Sequence, residues 1–279
     1  MSSPRNVLVT GCSTGIGRAT ALRLANAGHT VHATARRLEA LAGLEDAGCH
    51  LTELDVTDET SMTAAVARIT EQHGHLDALV NNAGYSQSGA VETISPEDLR
   101  RQFETNVFGL VRMCQLVLPG MREKGGGRIV NISSMGANFV FPGGGAYHAT
   151  KYAVEAFSDA LRFEVSGFGV GVTLVQPGLI RTAFAATAGT ALPSAPAPYT
   201  DFNRAVATTT AEAYQKGPLA RLGGEADDVA KAIEKAITAR RAPLRVRVTP
   251  SASLLITQRR LMSDRMWDRF LRTQFTAPS

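Results

Sequence analysis

The sequence predicts an α/β fold in which a doubly wound parallel sheet lies between two layers of helices. Short apolar strands alternate with helices of ten or more residues, and this spacing requires crossover connections between parallel strands. Runs such as VLV and VTLV are apolar on both faces, which indicates strands buried between two helical layers. A glycine-rich turn also separates the first strand from the first helix. Together these observations predict a three-layer α/β/α domain.

The predicted elements follow one another from residue 5. Strands are expected at residues 5–10, 30–35, 49–54, 78–80, 128–133, 170–176 and 244–248. Helices are expected at residues 16–27, 38–47, 59–73, 97–118, 146–168, 203–215, 225–240 and 254–270. The Asp58 carboxylate is placed to accept the free N–H groups of the helix that begins at residue 59. The segment 183–222 is largely irregular at its start, which is typical of a functional loop or lid.

The composition and the charge bound the class of protein. The 279 residues are 44% hydrophobic and 19% charged, which suits a globular protein and excludes disordered, collagen-like and disulfide-scaffold classes. The net charge of +4 is unevenly spread: residues 1–239 carry 20 Lys and Arg against 23 Asp and Glu, whereas residues 240–279 carry nine Arg against two Asp. The basic character is therefore a property of the C-terminal segment.

The three cysteines indicate the compartment. Cys12, Cys49 and Cys114 are widely spaced and match neither a disulfide framework nor a zinc-binding pattern, which favours free thiols in a reducing environment. The N-terminal residues lack an apolar region of signal-peptide length, and no window reaches the length of a transmembrane helix. We therefore expect a cytoplasmic protein with no membrane span and no metal site.

The glycine turn at residues 10–17 indicates a nucleotide site. Its pattern is GxxxGxG rather than GxGxxG, and glycines there let backbone N–H groups approach a pyrophosphate at the helix N-terminus. The second strand ends at Ala35 and is followed by Arg36 and Arg37. An acidic residue at this point would bind a ribose 2′-hydroxyl, whereas a guanidinium suits a 2′-phosphate. The sequence favours NADP(H) over NAD(H); a pair of solvated arginines is the alternative.

Tyr147, Lys151 and Ser134 form a candidate reactive group. Tyr147 and Lys151 are four residues apart in a helical pattern and so share one face. Tyrosine is a poor base at neutral pH, and a nearby ammonium is expected to lower its pKa towards the range of an acid–base catalyst. Ser134 ends a buried strand thirteen residues earlier, where its hydroxyl could bond a substrate carbonyl. A lone Tyr–Lys pair is typical of a helix surface; the combination indicates catalysis.

These motifs occur in the order found in the short-chain dehydrogenase/reductase family, and the sequence resembles its single-domain form. The matching segments are TGCSTGIG at residues 10–17, Asp55-Val56, NNAG at 81–84, Asn106 in TNVFG, NISS ending at Ser134, YHATK at 147–151 and QPGLIRT at 176–182. The resemblance implies a Rossmann fold over residues 1–250 that binds NADP(H), with a helical extension over residues 251–279. It also implies a homo-oligomer, either a dimer or a tetramer.

The resemblance implies a role for each matching residue. Tyr147 is expected to be the acid/base, and Lys151 to bind the nicotinamide ribose and to lower the tyrosine pKa. Ser134, rather than Ser133, is expected to orient the carbonyl, and Asn106 to hold a water in a proton relay to Lys151. The other cofactor contacts are expected from Gly11, Ser13, Thr14, Ile16, Gly17, Arg36, Arg37, Asp55, Val56, Asn82, Ala83, Gly84, Pro177, Gly178, Ile180 and Thr182.

The implied activity is the interconversion of a ketone or aldehyde and an alcohol, with reduction as the favoured direction. Neighbouring apolar and aromatic side chains predict a hydrophobic small-molecule substrate, and His148 is expected on the helix surface. The residues that carry this prediction are Tyr85, Phe139, Val140, Phe141, Pro142, Phe184 and Leu192. A redox-sensing or scaffold protein that binds the cofactor, and an epimerase or dehydratase of the same fold, are the alternatives.

The arginine-rich segment TQRRLMSDRMWDRFLRTQF predicts an amphipathic helix. A nucleic-acid-binding module would depend on these arginines, but it lacks a recognisable motif, so no nucleic-acid partner is expected. Packing on the protein's own fold is the simplest interpretation. Covering the substrate loop, joining a subunit interface and touching an anionic surface are the open alternatives.

Overall fold

Seven parallel strands form the central sheet of the computed structural model, which describes residues 3–182 and 198–275. They are β1 (Asn6–Val9), β2 (Thr30–Ala35), β3 (His50–Glu53), β4 (Ala78–Asn81), β5 (Gly127–Ile132), β6 (Val170–Gln176) and β9 (Arg245–Arg247). Their order is β3-β2-β1-β4-β5-β6-β9. The strand order reverses between β1 and β4, and parallel sheets bind ligands outside the carboxyl ends of the strands at such a point. The predicted doubly wound sheet is confirmed. Two short strands, β7 (Ile180–Arg181) and β8 (Gly224–Glu225), pair separately.

Helices cover both faces of the sheet. They are α1 (Gly15–Asn26), α2 (Glu59–His73), α3 (Pro96–Phe103), α4 (Gly109–Lys124), α5 (Gly145–Glu164), α6 (Tyr199–Gln215), α7 (Gly217–Arg221), α8 (Ala226–Thr238), α9 (Pro250–Leu261) and α10 (Asp264–Gln274). Helices α1 and α8 pack on one face, and α2, α4 and α5 pack on the other.

The alternation of side chains along the strands explains the two cores. Val7 and Val9 of β1 point to the α1 and α8 side, where they join Ile233, while Leu8 between them points to the α2 and α4 side with Met113. All five side chains have no exposed surface. Burial of both faces is why the strands are apolar throughout.

Three predicted helices differ from the structure. Residues 38–47 form only a 3-10 turn at Leu38–Leu41, because Gly43 then takes a left-handed conformation with φ of 81°. The helix predicted at residues 97–118 is interrupted by a π turn at Glu104–Phe108. The helix predicted at residues 254–270 is two helices: the first ends at Leu261, where Met262 takes an extended conformation, and Ser263 caps the second by accepting a hydrogen bond from the Met266 N–H.

The predicted cap of α2 is confirmed. Asp58 accepts hydrogen bonds from the N–H groups of Thr60 and Ser61 at 2.8 and 3.1 Å. A similar cap starts α3, where the Ser95 hydroxyl accepts from the Asp98 N–H at 3.0 Å and Pro96 occupies the first turn. These caps fix where the helices leave the sheet.

The last two helices form a third hydrophobic core at the carboxyl edge of the sheet. Leu255 and Ile256 of α9 and Trp267 of α10 pack on Phe139 and Leu179, which lie in the loops after β5 and β6. The C-terminal segment therefore packs on its own fold, beside the functional loops. The boundary at residue 250, where α9 begins, stays a prediction. No helix in the two described ranges is both long and apolar enough to cross a bilayer.

Candidate active site

A cavity of about 720 Å³ lies at the carboxyl ends of the strands. It is lined by loops that follow β1, β4, β5 and β6. Most of the residues singled out from the sequence line it, namely Gly11, Ser13, Thr14, Ile16, Arg36, Asp55, Val56, Asn82, Ala83, Gly84, Ser134, Tyr147, Lys151, Pro177, Gly178, Ile180 and Thr182. Gly17, Arg37 and Asn106 lie outside the lining, and Gly15, which sequence reasoning omitted, is part of it.

The glycine turn is held close to the loop that follows β4. Gly11 has a φ of 74°, and a Cβ on Gly17 would lie 2.2 Å from the Gly11 carbonyl oxygen. The Asn82 side-chain amide donates to the carbonyl oxygens of Thr10 and Gly11, both at 3.0 Å. Asn82 therefore braces the turn, and glycine is required where two backbones meet.

The start of α1 is available to an anion. Ser13, Thr14 and Gly15 line the cavity, and the Thr14 side chain makes no capping hydrogen bond to the helix. The first N–H groups of a helix carry partial positive charge and bind phosphate groups well. This corner of the cavity suits a pyrophosphate.

The two arginines after β2 differ in position. Arg36 is exposed and lines the cavity, whereas Arg37 is exposed but lies outside the lining. Asp55, on the neighbouring loop, lines the cavity too, and its Oδ1 accepts hydrogen bonds from the N–H and the hydroxyl of Thr57 at 2.9 and 2.8 Å. A guanidinium therefore stands at the end of the cleft where the adenosine ribose of a dinucleotide would lie.

Ser134 and Tyr147 are joined by a hydrogen bond between their side chains. The Ser134 Oγ also accepts from the Gly136 N–H at 3.0 Å, which fixes its direction. The adjacent Ser133 hydroxyl instead donates to Glu155, which also accepts from Gln176. Of the two serines, Ser134 is the one that bonds the tyrosine.

The pKa of Tyr147 is raised, contrary to the lowered value expected from the Tyr–Lys spacing. Burial raises the pKa of Tyr147 and outweighs the Ser134 hydrogen bond, which lowers it. Lys151 lies one turn along α5, with its Nζ 5.7 Å from the centre of the Tyr147 ring. Its Nζ donates to the Ile132 carbonyl oxygen at 2.8 Å, and burial lowers the pKa of Lys151 to about 8.

Asn106 lies behind the cavity wall in the π turn. Its Nδ2 donates to the carbonyl oxygen of Tyr85 at 2.9 Å and to the Thr150 hydroxyl at 3.1 Å, and its Oδ1 accepts from the Tyr85 N–H at 3.1 Å. Thr150 in turn donates to the carbonyl oxygen of Tyr147 at 2.7 Å. Asn106 thus connects the loop after β4 with the helix that carries Tyr147.

The loop after β6 closes the cavity between the glycine turn and α9. Gly178 cannot carry a side chain, because a Cβ there would lie 2.2 Å from Thr249 Oγ1 and 2.5 Å from Ser251 Oγ. Thr182 lies against Gly15, whose Cβ would be 3.4 Å from it. The four residues predicted on this loop therefore reach the same cavity as the turn.

The other end of the cavity is apolar and aromatic. Its lining comes from Phe139 and Phe141, from helices α6 and α7, and from the C-terminal segment that starts at α9: Val206, Tyr214, Leu219, Leu255, Phe270 and Phe275. Sequence reasoning missed the last six residues; Val206, Tyr214, Leu255 and Phe270 lay in predicted helices with an apolar character as their only signal, and Leu219 and Phe275 lay outside the predicted helices. Val140 is exposed and outside the lining, which corrects its predicted role. Phe184 and Leu192 lie outside the described residues.

His148 is buried and not on the helix surface, which corrects the prediction. Its Nδ1 bonds the Gly136 carbonyl oxygen at 2.6 Å. A Cβ on Gly136 or Gly144 would come within 2.5 and 2.7 Å of the ring. The imidazole therefore fills the space beside two glycines that flank the loop after β5, and it is buried because neither glycine has a side chain to occupy that space.

The residues present fit a nicotinamide dinucleotide. The cleft runs from Arg36 past the glycine turn to Tyr147. Because Gly11 and Gly17 have no side chains, the turn packs closely against the loop that follows β4. The uncapped start of α1 lies midway. Ser134, Tyr147 and Lys151 stand at the far end, next to the apolar chamber, where a hydroxyl and a phenol can act on a carbonyl oxygen.

Comparison with known proteins agrees with this geometry. The family model for short chain dehydrogenases matches residues 5–192. The 3-ketodihydrosphingosine reductase of Bacteroides thetaiotaomicron is 42% identical over 181 residues, and the match covers 65% of this chain and 66% of that protein, just under two thirds of its length.

Solved structures resemble most of the chain, and two of them show this by identity and coverage. A short-chain dehydrogenase from Streptomyces avermitilis has 37% identity and a TM-score of 0.81, with 97% of this chain and 99% of that chain covered. A serine dehydrogenase complexed with NADP+ has 31% identity and a TM-score of 0.74, with coverage of 88% and 94%.

Proposed function

The chain belongs to the short-chain dehydrogenase family of oxidoreductases, and we propose that it interconverts a carbonyl compound and an alcohol with NADP(H). The observation that carries this proposal is the hydrogen-bonded pair of Ser134 and Tyr147, with Lys151 beside it, in the cavity that also holds the glycine turn. A phenol, a hydroxyl and a buried amine at one end of a dinucleotide-shaped cleft suit proton transfer to a carbonyl oxygen.

The protein's own groups handle the proton and the developing charge. When bound, the nicotinamide supplies or accepts the hydride. Ser134 donates a hydrogen bond to the carbonyl oxygen, and Tyr147 gives its proton to the same oxygen as negative charge develops there. Tyrosine is protonated at neutral pH, and burial, which raises the pKa of Tyr147, does not change that, so the phenol is present as the proton donor that reduction needs. Lys151 brings an amine within 5.7 Å of the ring centre, and Asn106 holds the tyrosine's helix through Thr150.

The NADP preference depends on Arg36. It lies at the end of the cleft, and the residue that follows β2 is this arginine rather than an acid. A guanidinium pairs with a 2′-phosphate through charge-assisted hydrogen bonds, whereas an acid would repel it. The serine dehydrogenase neighbour was solved with NADP+, which also supports this choice.

The substrate is proposed to be a hydrophobic ketone or aldehyde. The chamber beside Ser134 and Tyr147 is lined by phenylalanines and leucines, so the apolar surface of a substrate leaves water on entering it, which favours binding. The relative from Bacteroides thetaiotaomicron is named a 3-ketodihydrosphingosine reductase, which supports a ketone on an apolar molecule.

A tyrosine pair on α5 provides the test. Tyr147→Phe removes the proton donor and should lower turnover of NADPH with bulky ketones by at least about 100-fold, while NADPH binding followed by fluorescence persists. Tyr152→Phe, on the same helix and exposed, is the control and should keep wild-type turnover. Retained turnover in Tyr147→Phe would contradict the assignment. NADPH binding by the wild type without turnover of any ketone would favour the redox-sensor or scaffold alternative.

We also propose a homo-oligomer in the cytoplasm. Exposed phenylalanine side chains stand on or beside α4 and α5 in the single chain, among them Phe108, Phe157 and Phe163. Covering such side chains is what subunit contact achieves. The three cysteines are buried free thiols, which suits a reducing compartment. Light scattering of the purified protein measures the subunit number, and a monomer would contradict the first proposal.

A further inference from the structure

Four arginines near the C-terminus are exposed and make no ion pair within the described part of the chain: Arg260, Arg265, Arg269 and Arg272. Their neighbours behave differently. Arg245 is paired with Glu155 and Asp159, and Arg259 is paired with Asp264. The positive charge of these four arginines is therefore exposed and is not neutralised by an ion pair among the described residues.

Three of these arginines share one face of α10. Positions 265, 269 and 272 are spaced i, i+4 and i+7, which places them on one side of a helix. Trp267 lies on the opposite side, with 5% of its surface exposed, and packs on Phe139. The burial of the tryptophan fixes the rotation of α10, so the arginine side must point outwards.

Apolar side chains stand beside the arginines. Leu261, the last residue of α9, is 80% exposed, and Met266 of α10 is 49% exposed. We call the surface made by Arg260, Leu261, Arg265, Met266, Arg269 and Arg272 the basic face. Asp268 is its exposed acidic neighbour, so the face keeps a positive balance.

We propose that the basic face docks the protein on the surface of an anionic lipid bilayer. Arginines attract anionic headgroups, and exposed leucine and methionine side chains enter the boundary between headgroups and acyl chains. Residues 1–239 carry 20 Lys and Arg against 23 Asp and Glu, so an anionic surface repels that part of the molecule weakly and turns the basic face towards itself.

The same face suits nucleic acid less well. Binding to single strands uses aromatic side chains on which bases stack. The aromatic rings of α10 point inwards instead, where Trp267 and Phe270 pack against each other with ring centres 5.1 Å apart. Exposed aliphatic side chains between the arginines have no partner on a phosphate backbone but do have one in a bilayer.

Docking through this face places the cavity near the lipid. Phe270 and Phe275 line the apolar end of the cavity from the inner side of the helix that carries the arginines. A hydrophobic substrate dissolved in a bilayer would then have a short path past α10. This last consequence depends on the proposed function, whereas bilayer binding does not.

Co-sedimentation of the full-length chain with lipid vesicles tests the proposal. The probes are neutral phosphatidylcholine vesicles and vesicles in which a third of the lipid is phosphatidylglycerol. Each arginine near an anionic surface contributes about fivefold to partitioning at low salt, so the triple variant R265E/R269E/R272E should lose more than about 100-fold. Binding of the wild type should need phosphatidylglycerol and should weaken in 0.5 M salt because the charges are screened (about a 4 Å Debye length).

The control variant carries the same change of charge elsewhere. R68E/R240E/R241E reverses three exposed arginines, two of them in the turn before β9 at the opposite edge of the sheet, and should keep most of the binding. The milder R265Q/R269Q/R272Q variant, checked by circular dichroism, keeps the test valid if the glutamates unfold α10. Equal loss in the control and the α10 variant, absence of binding to anionic vesicles, or tighter binding to an oligonucleotide than to vesicles would overturn the proposal.

Discussion

Replacing Gly17 by alanine is expected to destabilise the protein and to weaken NADPH binding, although alanine is the better helix former. Gly17 lies in the first turn of α1, outside the cavity lining. A Cβ at this position would lie 2.2 Å from the Gly11 carbonyl oxygen and 2.5 Å from Asn82 Nδ2. The first of these atoms belongs to the backbone, so it cannot rotate away, and the glycine turn must move.

The magnitude follows from three opposing effects. Alanine in place of glycine favours a helix by up to about 1 kcal/mol. Forcing a methyl group into a packed site costs about 1–3 kcal/mol. Displacing the turn also strains the two hydrogen bonds from Asn82 to Thr10 and Gly11, each worth about 1 kcal/mol. The expected net loss in the free energy of unfolding is about 2 kcal/mol.

Gly120 provides a matched control within a helix. It lies in α4, and a Cβ there would meet no atom within 4 Å. Gly120→Ala should therefore stabilise the protein by up to about 1 kcal/mol, the opposite sign. Urea denaturation measures both variants, and a fluorescence titration measures NADPH affinity. If the two substitutions changed stability in the same direction, or if Gly17→Ala bound NADPH like the wild type, the argument from backbone contact would be wrong.

Three further predictions address the cofactor, the substrate and pH. Arg36→Ala should raise the KM for NADPH about 10- to 100-fold and leave the KM for NADH nearly unchanged, because a charged hydrogen bond to the 2′-phosphate is lost. Arg37→Ala, outside the lining, should leave the KM for both cofactors unchanged, and equal effects of the two substitutions in steady-state kinetics would contradict the role of Arg36. Phe270→Ala should enlarge the apolar chamber and so raise the ratio of kcat/KM for long ketones to kcat/KM for short ones. Arg269→Ala, on the outer side of α10, should leave this ratio unchanged. If Phe270→Ala left the ratio unchanged, Phe270 would not determine which substrate lengths the chamber accepts. The pKa of His32 is lowered from 6.5 to about 4 by burial and then by His73 and His50, so the folded state stays neutral while the unfolded state takes up a proton. The contribution of His32 to stability should therefore be complete above pH 6.5 and fall by about 3 kcal/mol as the pH drops towards 4. His32→Gln should flatten this slope in urea titrations, and an unchanged slope would contradict the prediction.

The sequence was enough to predict those helices whose ends are marked by a capping residue or a glycine. The helix Glu59–His73 begins after the Asp58 cap and ends before Gly74, which takes a φ of 82°, so a single residue determines each end of the helix. The π turn at Glu104–Phe108 has no such marker. It brings Asn106 to the backbone of Tyr85, a contact across 21 residues that no local pattern contains.

Some features of the candidate site could likewise be predicted from local sequence, and others depend on distant parts of the chain. Ser134, Asn82 and Pro177 follow strands, and the carboxyl ends of parallel strands necessarily meet at one edge, so their proximity could be predicted. The spacing of Tyr147 and Lys151 was equally local, but it gave the wrong direction for the tyrosine pKa. Burial decides that pKa, and burial depends on helices that are distant in the chain.

The residues proposed to catalyse the reaction and the residues that line the substrate chamber from the C-terminal helices lie in different parts of the chain. The groups proposed to move the proton lie in loops and helices up to residue 182, whereas Leu255, Phe270 and Phe275 form the wall of the apolar chamber. These side chains touch the cavity from a segment that packs on the loops after β5 and β6 rather than within the sheet. Changes at Phe270 and at the outer arginines of α10 can therefore alter the size of the chamber and the charge of the outer surface, whereas Ser134 and Tyr147 lie on other elements. Substitutions on the inner side of α10 are expected to change the substrate range and substitutions on its outer side the bilayer contact, while the proton-transfer step stays the same.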